Sequence, residues 1–583
     1  MGGEQVAGLR AWLVPYGRVW RLLPRHWRFR AGLLFAGNLV GAALEVLALW
    51  SLATLIASLT PGAGFAGSAT AAFQARWSPP GLSLPLALVV LTALVFVAKN
   101  VFLAVLAWGE ATFAFALQTQ LADAALTGIL GSDYASVARK APSAHLNLLT
   151  SELILIVTQL VVPSLTVVSE LVMMGGVVAF LFWREPVLTG AVVLAVGGAG
   201  ALLVAWGRNY TMALGRRRQL LEDDRMRRLR ETFLHLREVY VYRAGRHAHA
   251  QLQAGMGEIS RVFRAYQLLL TGPRFILELV LMAVLLVAIV AGLHRDGGQT
   301  VIVSVGLFAA AGFRLLVGAN RVIVCSQAIR FGAPALRRLL DAVDAAQAIP
   351  GGPDARDARI RVPQVLAVRG VQYRYPDAGA RVLDGVDLEL RPGTTIGIRG
   401  GSGGGKTTLL EIIAGLRRPD AGELLLDGVP VRDPARELLH VVGYVGQSAA
   451  VFSESVRRNV AFGQDDGDID DARVWNALER ARLADFVRGL PGGLDHVFGG
   501  ATPQLSGGQA QRLALARALY ADCLFVLLDE PTSALDAATE HDVTATLGEL
   551  GADRGILLVS HREGPLALCG AVYEMRAGRL VAA

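Results

Sequence analysis

Three stretches in the last third of this 583-residue chain bring together residue types suited to work on a polyphosphate. The first, Gly400-Gly401-Ser402-Gly403-Gly404-Gly405-Lys406-Thr407-Thr408, has the spacing G-x-x-x-x-G-K-T, with an apolar strand before it and Leu409-Leu410-Glu411-Ile412-Ile413 after it. Backbone N–H groups at the mouth of a helix can surround phosphate oxygens, and glycine lets the chain approach that closely. Lys406 adds a point charge and Thr407 a hydroxyl ligand for Mg²⁺. A flexible glycine linker is the competing reading, but a linker has no reason to end in Lys-Thr ahead of an apolar helix. The second stretch, Leu524-Phe525-Val526-Leu527-Leu528-Asp529-Glu530, reads as a buried parallel strand with two carboxylates at its C-terminal edge, where such sheets place ligand groups. Asp529 would hold the metal, and Glu530 would orient or deprotonate an attacking water. The third, Leu505-Ser506-Gly507-Gly508-Gln509, opens a helix whose positive end suits phosphate, although Ser506 is also an ordinary N-cap.

The elements that must position these residues fall into two halves of different solvent. The chain is 53% hydrophobic and 18% charged, with a mean hydropathy of +0.44, so lipid is the expected solvent for part of it. Six apolar stretches can each span a bilayer: 31–59, 84–108, 153–182, 187–206, 268–293 and 300–324. The connections after the first, third and fifth are poor in basic residues, whereas that after the fourth carries eleven arginines from Arg208 to Arg246. Long connections and both termini are therefore expected in the cytoplasm, and the net charge of +7 belongs to membrane loops rather than to a nucleic-acid face. The connections at 109–152 and 207–267 read as helix continuing out of the membrane. Residues 1–30, with six arginines among Trp and Leu, read as an interfacial helix, and no cleavable signal peptide is expected. Cys325, Cys523 and Cys569 have no disulfide or metal spacing and are expected as buried small hydrophobes. The Ala/Gly/Pro/Asp-rich stretch 345–362 is the expected linker. It separates a transmembrane domain at 1–344 from an α/β P-loop nucleotide-binding domain at 363–583. The fold class expected is thus a multidomain membrane protein, with a six-helix all-α domain followed by an α/β domain.

An L-S-G-G-Q sequence between a G-x-x-x-x-G-K-T loop and a strand ending in Asp-Glu resembles the ATP-binding cassette of ABC transporters, and six spans ahead of it resemble an exporter-type half-transporter. The resemblance assigns further roles. Tyr375 matches the aromatic that stacks on adenine. Gln447 matches the glutamine that joins Mg²⁺ to the membrane-domain contact, His561 the switch histidine at the γ-phosphate, and Ser533-Ala534-Leu535-Asp536 the loop between paired cassettes. It implies catalysis by Glu530, His561, Gln447 and Lys406, and a metal site of Thr407, Gln447 and Asp529. It also implies ATP and Mg²⁺ as cofactors, with two ATP sealed between Lys406 of one chain and Ser506, Gly507, Gly508 and Gln509 of another. A homodimer is the simpler expectation. One departure stands out: Asp495-His496-Val497-Phe498-Gly499-Gly500-Ala501-Thr502-Pro503-Gln504 replaces the family's usual charged segment before the signature, which puts its contacts to the coupling helices in doubt.

Substrate is less legible. Ionisable residues inside the spans, Glu45, Lys99, Glu170, Glu278 and Arg314, cost about 2.5–3.5 kcal/mol each at mid-bilayer and must face a cavity or a partner. Arg314 and Arg321 lie on one face of the sixth span about 10 Å apart, suited to a phosphate or pyrophosphate headgroup. The bland alternatives are snorkelling for Arg321 and, for Arg314, a fixed pair with Glu45, Glu170 or Glu278. The sixth span also resembles that of bacterial ABC flippases of lipid-linked oligosaccharides, with Phe73–Trp77 as a candidate external helix. The expected function is ATP-driven export or flipping of an amphiphile across a bacterial inner membrane, a lipid-linked oligosaccharide foremost. A peptide or hydrophobic-drug exporter and a cassette-gated channel are the alternatives.

Overall fold

The computed structural model describes Gly17, Pro24–Leu59, Leu84–Arg184, Pro186–Asp296, Gln299–Ala346, Pro363–Pro376, Ala378–Leu438, Val441–Gly499, Leu505–Thr532 and Ala537–Ala583. The expected interfacial helix apart from its last residues, the Phe73–Trp77 helix, the linker beyond Ala346, residues 500–504 and Ser533 to Asp536 lie outside the described residues. The chain forms two compact units, residues 1–132 with 138–348, and residues 133–137 with 349–583.

The first unit is helical. Its elements are α1 (Arg25–Leu59), α2 (Leu84–Leu130), α4 (142–184), α5 (Pro186–Leu234), the short α6 (Leu236–Val241), α7 (Gly245–Asp296) and α8 (Gln299–Ala346). Among the described residues five of these rods are long and apolar enough to cross a membrane, and α8, which carries the sixth apolar stretch, is not among them on that measure. At 1.5 Å per residue, rods of 47 to 52 residues reach about 70–80 Å, more than twice the hydrocarbon thickness. The connections expected as helix are helix: α2 and α5 run on past their apolar stretches, and the chain reverses only around 131–141 and 235–244. Leu94, Val97, Val101, Val105 and Trp108 lie exposed along one stripe of α2, the face lipid would cover. The helices meet at glycines: a Cβ on Gly215 would come 2.4 Å from the Phe331 carbonyl oxygen, and one on Gly128 equally close to that of Ala342. Two π-helical stretches, Leu148–Glu152 and Val157–Val161, interrupt α4.

The second unit carries α3 (Tyr134–Ala138) up to Val137 together with an α/β domain. Strands β1 (Leu366–Tyr373), β2 (Leu383–Leu390), β4 (Ala421–Leu426) and β5 (Val429–Pro430) form an antiparallel sheet in the order β2-β1-β4-β5. The second sheet runs β10-β9-β3-β8-β7-β6, from β3 (Thr395–Arg399), β6 (Val442–Val445), β7 (Phe525–Asp529), β8 (Gly555–Val559), β9 (Ala571–Arg576) and β10 (Arg579–Ala582). It is parallel except for β10. Every residue of β7 and β8 is buried, as unbroken apolar runs in a covered parallel sheet require. Cys523 is buried, Cys325 and Cys569 only partly so, and all three are free.

Candidate functional site

β3 delivers the glycine loop to α9 (Lys406–Ile413). Gly400, Gly403 and Gly405 have φ of 151°, 78° and 98°, and a Cβ on Gly405 would sit 2.8 Å from the Val382 carbonyl oxygen, so glycine is required there. The buried Lys406 ammonium donates to the carbonyl oxygens of Gly400 and Gly401 at 2.6 and 2.9 Å, which folds it back over the loop formed with Ser402 and Gly404.

β7 lies beside β8, one strand from β3, and its C-terminal edge brings the two carboxylates to the loop. Asp529, 5% exposed, accepts hydrogen bonds from the Thr407 hydroxyl and from Tyr444. Burial pushes its carboxyl above the ordinary range. Thr407, Lys406 and Tyr444 oppose that rise, while neighbouring Glu530 adds to it. Glu530 stands at φ 50°, a left-handed backbone that costs an ordinary residue about 1–2 kcal/mol, and this turn points its carboxylate at two partners. Gln447 Nε2 donates to Glu530 Oε2 at 2.9 Å, and His561 Nε2 lies 3.3 Å from Oε1. Gln447, Glu530 and His561, 83 and 31 residues apart along the chain, therefore form one bridged row. The amide oxygen of Gln447 is left for another partner. With the Thr407 hydroxyl and the Asp529 carboxylate it makes a set of hard oxygen donors, the chemistry Mg²⁺ takes.

Tyr375 Oη shares a 3.0 Å hydrogen bond with Thr408 Oγ1, which ties the expected adenine platform to α9. The Arg417 guanidinium lies 5.0 Å from the centre of the Tyr375 ring. Sequence reasoning missed Arg417 and Tyr444; the only cue was an aromatic in an apolar strand and an arginine after a glycine, neither of which marks a function. It also missed Tyr134, which groups with the second unit rather than with the helices that flank it in the chain. The signature helix α10 (Gly507–Tyr520) opens with a capping box: Ser506 Oγ accepts from the N–H of Gln509, and Gln509 Oε1 accepts from that of Ser506. Gly507 and Gly508 form its first turn. In the departing segment, Asp495 is paired with Arg457, which also holds Asp471.

In the helical unit Glu45, Lys99, Glu170 and Arg314 gather with Arg321 into one chain, whereas Glu278 is exposed on α7 and outside it. Arg314 donates from Nε to Glu45 Oε1 at 2.9 Å and from Nη1 to Glu170 Oε2 at 3.0 Å. Lys99 meets the other oxygen of Glu45 at 3.2 Å, and Arg321 the other oxygen of Glu170 at 2.7 Å. Both carboxylates are buried, while the Arg321 side chain is 60% exposed.

A bundle of membrane-length helices joined in one chain to a phosphate-loop sheet with this carboxylate edge defines an exporter-type half-transporter. Residues 383–533 match the family described as ABC transporter. The ATP-dependent lipid A-core flippase of Burkholderia orbicola is 31% identical over 447 residues, 75% of this chain and 72% of that protein. The protein of the same name from Chromobacterium violaceum is 36% identical over 298 residues, 50% of this chain and 49% of that one. The match thus spans about half the length of the latter relative. A solved structure described as a bacterial Atm1-family ABC exporter with ATP bound shares the fold at a TM-score of 0.76, with 21% identity over 93% of this chain and 94% of that one. The chain belongs to the ABC transporter family, in which a cassette of this kind couples ATP hydrolysis to transport.

Proposed function

We propose that this protein is one half of a dimeric, ATP-driven flippase that moves an amphiphilic lipid with an anionic, glycan-bearing headgroup across a bacterial inner membrane, with a lipid-linked oligosaccharide as its preferred cargo. The observation that carries this reading is the charge chain Lys99–Glu45–Arg314–Glu170–Arg321. Three cations stand against two carboxylates, so the chain holds one surplus positive charge inside apolar helices, where an uncompensated charge is costly. Arg321 is its exposed end, and a phosphate or pyrophosphate group would complete it with charge-assisted hydrogen bonds. The names of the relatives favour the same cargo class. The exposed Leu236, Tyr240, Val241 and Tyr242 at the reversal around α6 offer an apolar contact for the second copy.

In the cassette, Lys406 and the loop N–H groups hold the phosphates, Tyr375 supports the base, and Gln447 with His561 fix the Glu530 carboxylate that takes up the proton of the attacking water. Asp536 of the inter-cassette loop belongs to the same proposed set. Thr407, Asp529 and Gln447 are the residues that would hold Mg²⁺, which supplies charge neutralisation on the phosphate oxygens when bound. ATP binding draws two cassettes together and hydrolysis releases them.

The test is ATPase activity in nanodiscs, wild type against Arg321→Ala, with and without a lipid-linked oligosaccharide. Stimulation of wild type that is lost in the variant supports the headgroup role. Equal stimulation of both, or of neither, overturns it and sends the search to peptides and drugs.

A further inference from the structure

A second cationic site lies away from the charge chain and wholly within the helical unit. A cavity of about 450 Å³ opens between the cytoplasmic parts of α5 and α8 and the turn before α4, one turn beyond the Gly215–Phe331 crossing. Lys140, Arg216, Arg337, Arg338, Gln219 and Asp341 are the polar residues of its wall. Arg338 is engaged by Asp223, with Nη1 donating to Oδ1 at 2.9 Å. Lys140, Arg216 and Arg337 form no ion pair among the described residues, and Arg216 reaches only the Met212 sulfur, at 4.0 Å. Four cations against Asp341 and Asp223 leave a surplus of two positive charges. Inside the same wall Gln219 Nε2 is buried and has no hydrogen-bond partner, a donor left without an acceptor.

Depth separates this site from a lipid headgroup. The apolar stretches end at Trp206 on α5 and Val324 on α8, so Arg216 and Pro334, each ten residues on, lie about 15 Å beyond the hydrocarbon edge. The headgroup layer is only about 5–7 Å thick. We infer that this cavity binds a water-soluble polyanion carrying phosphate groups, gripped by Lys140, Arg216, Arg337 and the Gln219 amide. The volume fits a small-molecule ligand, and converging guanidinium, ammonium and amide donors suit the several acceptor oxygens of phosphate. Such a ligand bridges α5, α8 and the turn that follows α3, the helix whose residues 134–137 pack with the cassette.

Tripolyphosphate is the probe. Titrated calorimetrically into the full chain carrying Lys406→Ala, so that the glycine loop does not contribute, in phosphatidylcholine nanodiscs, it should bind at one site per chain and weaken as salt rises. Arg216→Gln/Arg337→Gln should weaken it by on the order of tenfold or more while the thermal midpoint stays put. Lys140→Gln, on the turn before α4, is the second variant should the double one fail to fold, and it too must weaken binding. No binding to the Lys406→Ala chain, or equal affinity in the arginine variants, overturns the proposal. Nanodiscs rich in phosphatidylglycerol separate the two sources of phosphate. Unchanged tripolyphosphate affinity supports a soluble ligand, whereas competition by the anionic lipid assigns the cavity to a headgroup and overturns it.

Discussion

At the scale of single residues, the catalytic edge and the membrane charges make different demands. Glu530 is held by Gln447 and His561 on a left-handed backbone, so Glu530→Gln keeps the shape and loses the base. Hydrolysis should fall by roughly 10²–10⁴ while ATP affinity, measured with a fluorescent nucleotide, stays near wild type; equal loss of both would remove Glu530 from the chemistry. In the helices, Arg314 neutralises two buried carboxylates and Arg321 shares one from an exposed position. Arg314→Ala leaves Glu45 and Glu170 underpaired and should cost about 3–5 kcal/mol, seen as a lower melting temperature and poor yield. Arg321→Ala should melt within about 1 kcal/mol of wild type and change only the response to cargo. The contrast also marks where one sequence stops being legible. The loop around Lys406 declares itself because its chemistry sits in nine consecutive residues. The partners of Arg314 lie 269 and 144 residues away, and three carboxylates on different spans were equally eligible until the helices were packed.

Elements follow the same division. Apolar runs gave the helices their existence, because only helix satisfies its own backbone in lipid. Their extensions past the apolar stretches are set by packing instead. The two π-helical stretches of α4, the first of which ends in the Glu152 that Arg218 meets at 2.9 Å, have no mark in the local sequence. Nor does the grouping of Tyr134 to Val137 with the cassette, since α3 is five residues of ordinary composition. Residues 133–137 group with the cassette while the chain on either side of them belongs to the helical unit. Tyr134→Ala should therefore leave unstimulated ATPase activity within about twofold and cut the stimulation by cargo severalfold, a coupling loss of about 1 kcal/mol. An unaltered stimulation ratio would mean that α3 is not a route between the membrane helices and the catalytic edge.

At the scale of the molecule, the question is whether the chain works with its own copy. Each chain supplies one glycine loop and one Ser506 helix. In the proposed arrangement a working site takes Lys406 from one chain and Ser506 from the other. Lys406→Ala spoils the first half-site and Ser506→Arg the second, so each homodimer has no intact site. A mixed dimer has one, because the Lys406→Ala chain still presents Ser506 and the Ser506→Arg chain still presents Lys406. Co-expressed in equal amounts, half of the dimers are mixed; once these are selected, independent sites would give about half of wild-type ATPase activity. The measurement is activity of dimers carrying two affinity tags, purified through both. Recovery requires that two copies of this chain share their active sites; none, in dimers shown to contain both variants, would mean that the second half-site comes from a different polypeptide or that both sites must be intact to turn over. The second case separates from the first on wild-type chain purified alone: a self-sufficient homodimer hydrolyses ATP, whereas half of a mixed assembly stays idle until its proper partner is added.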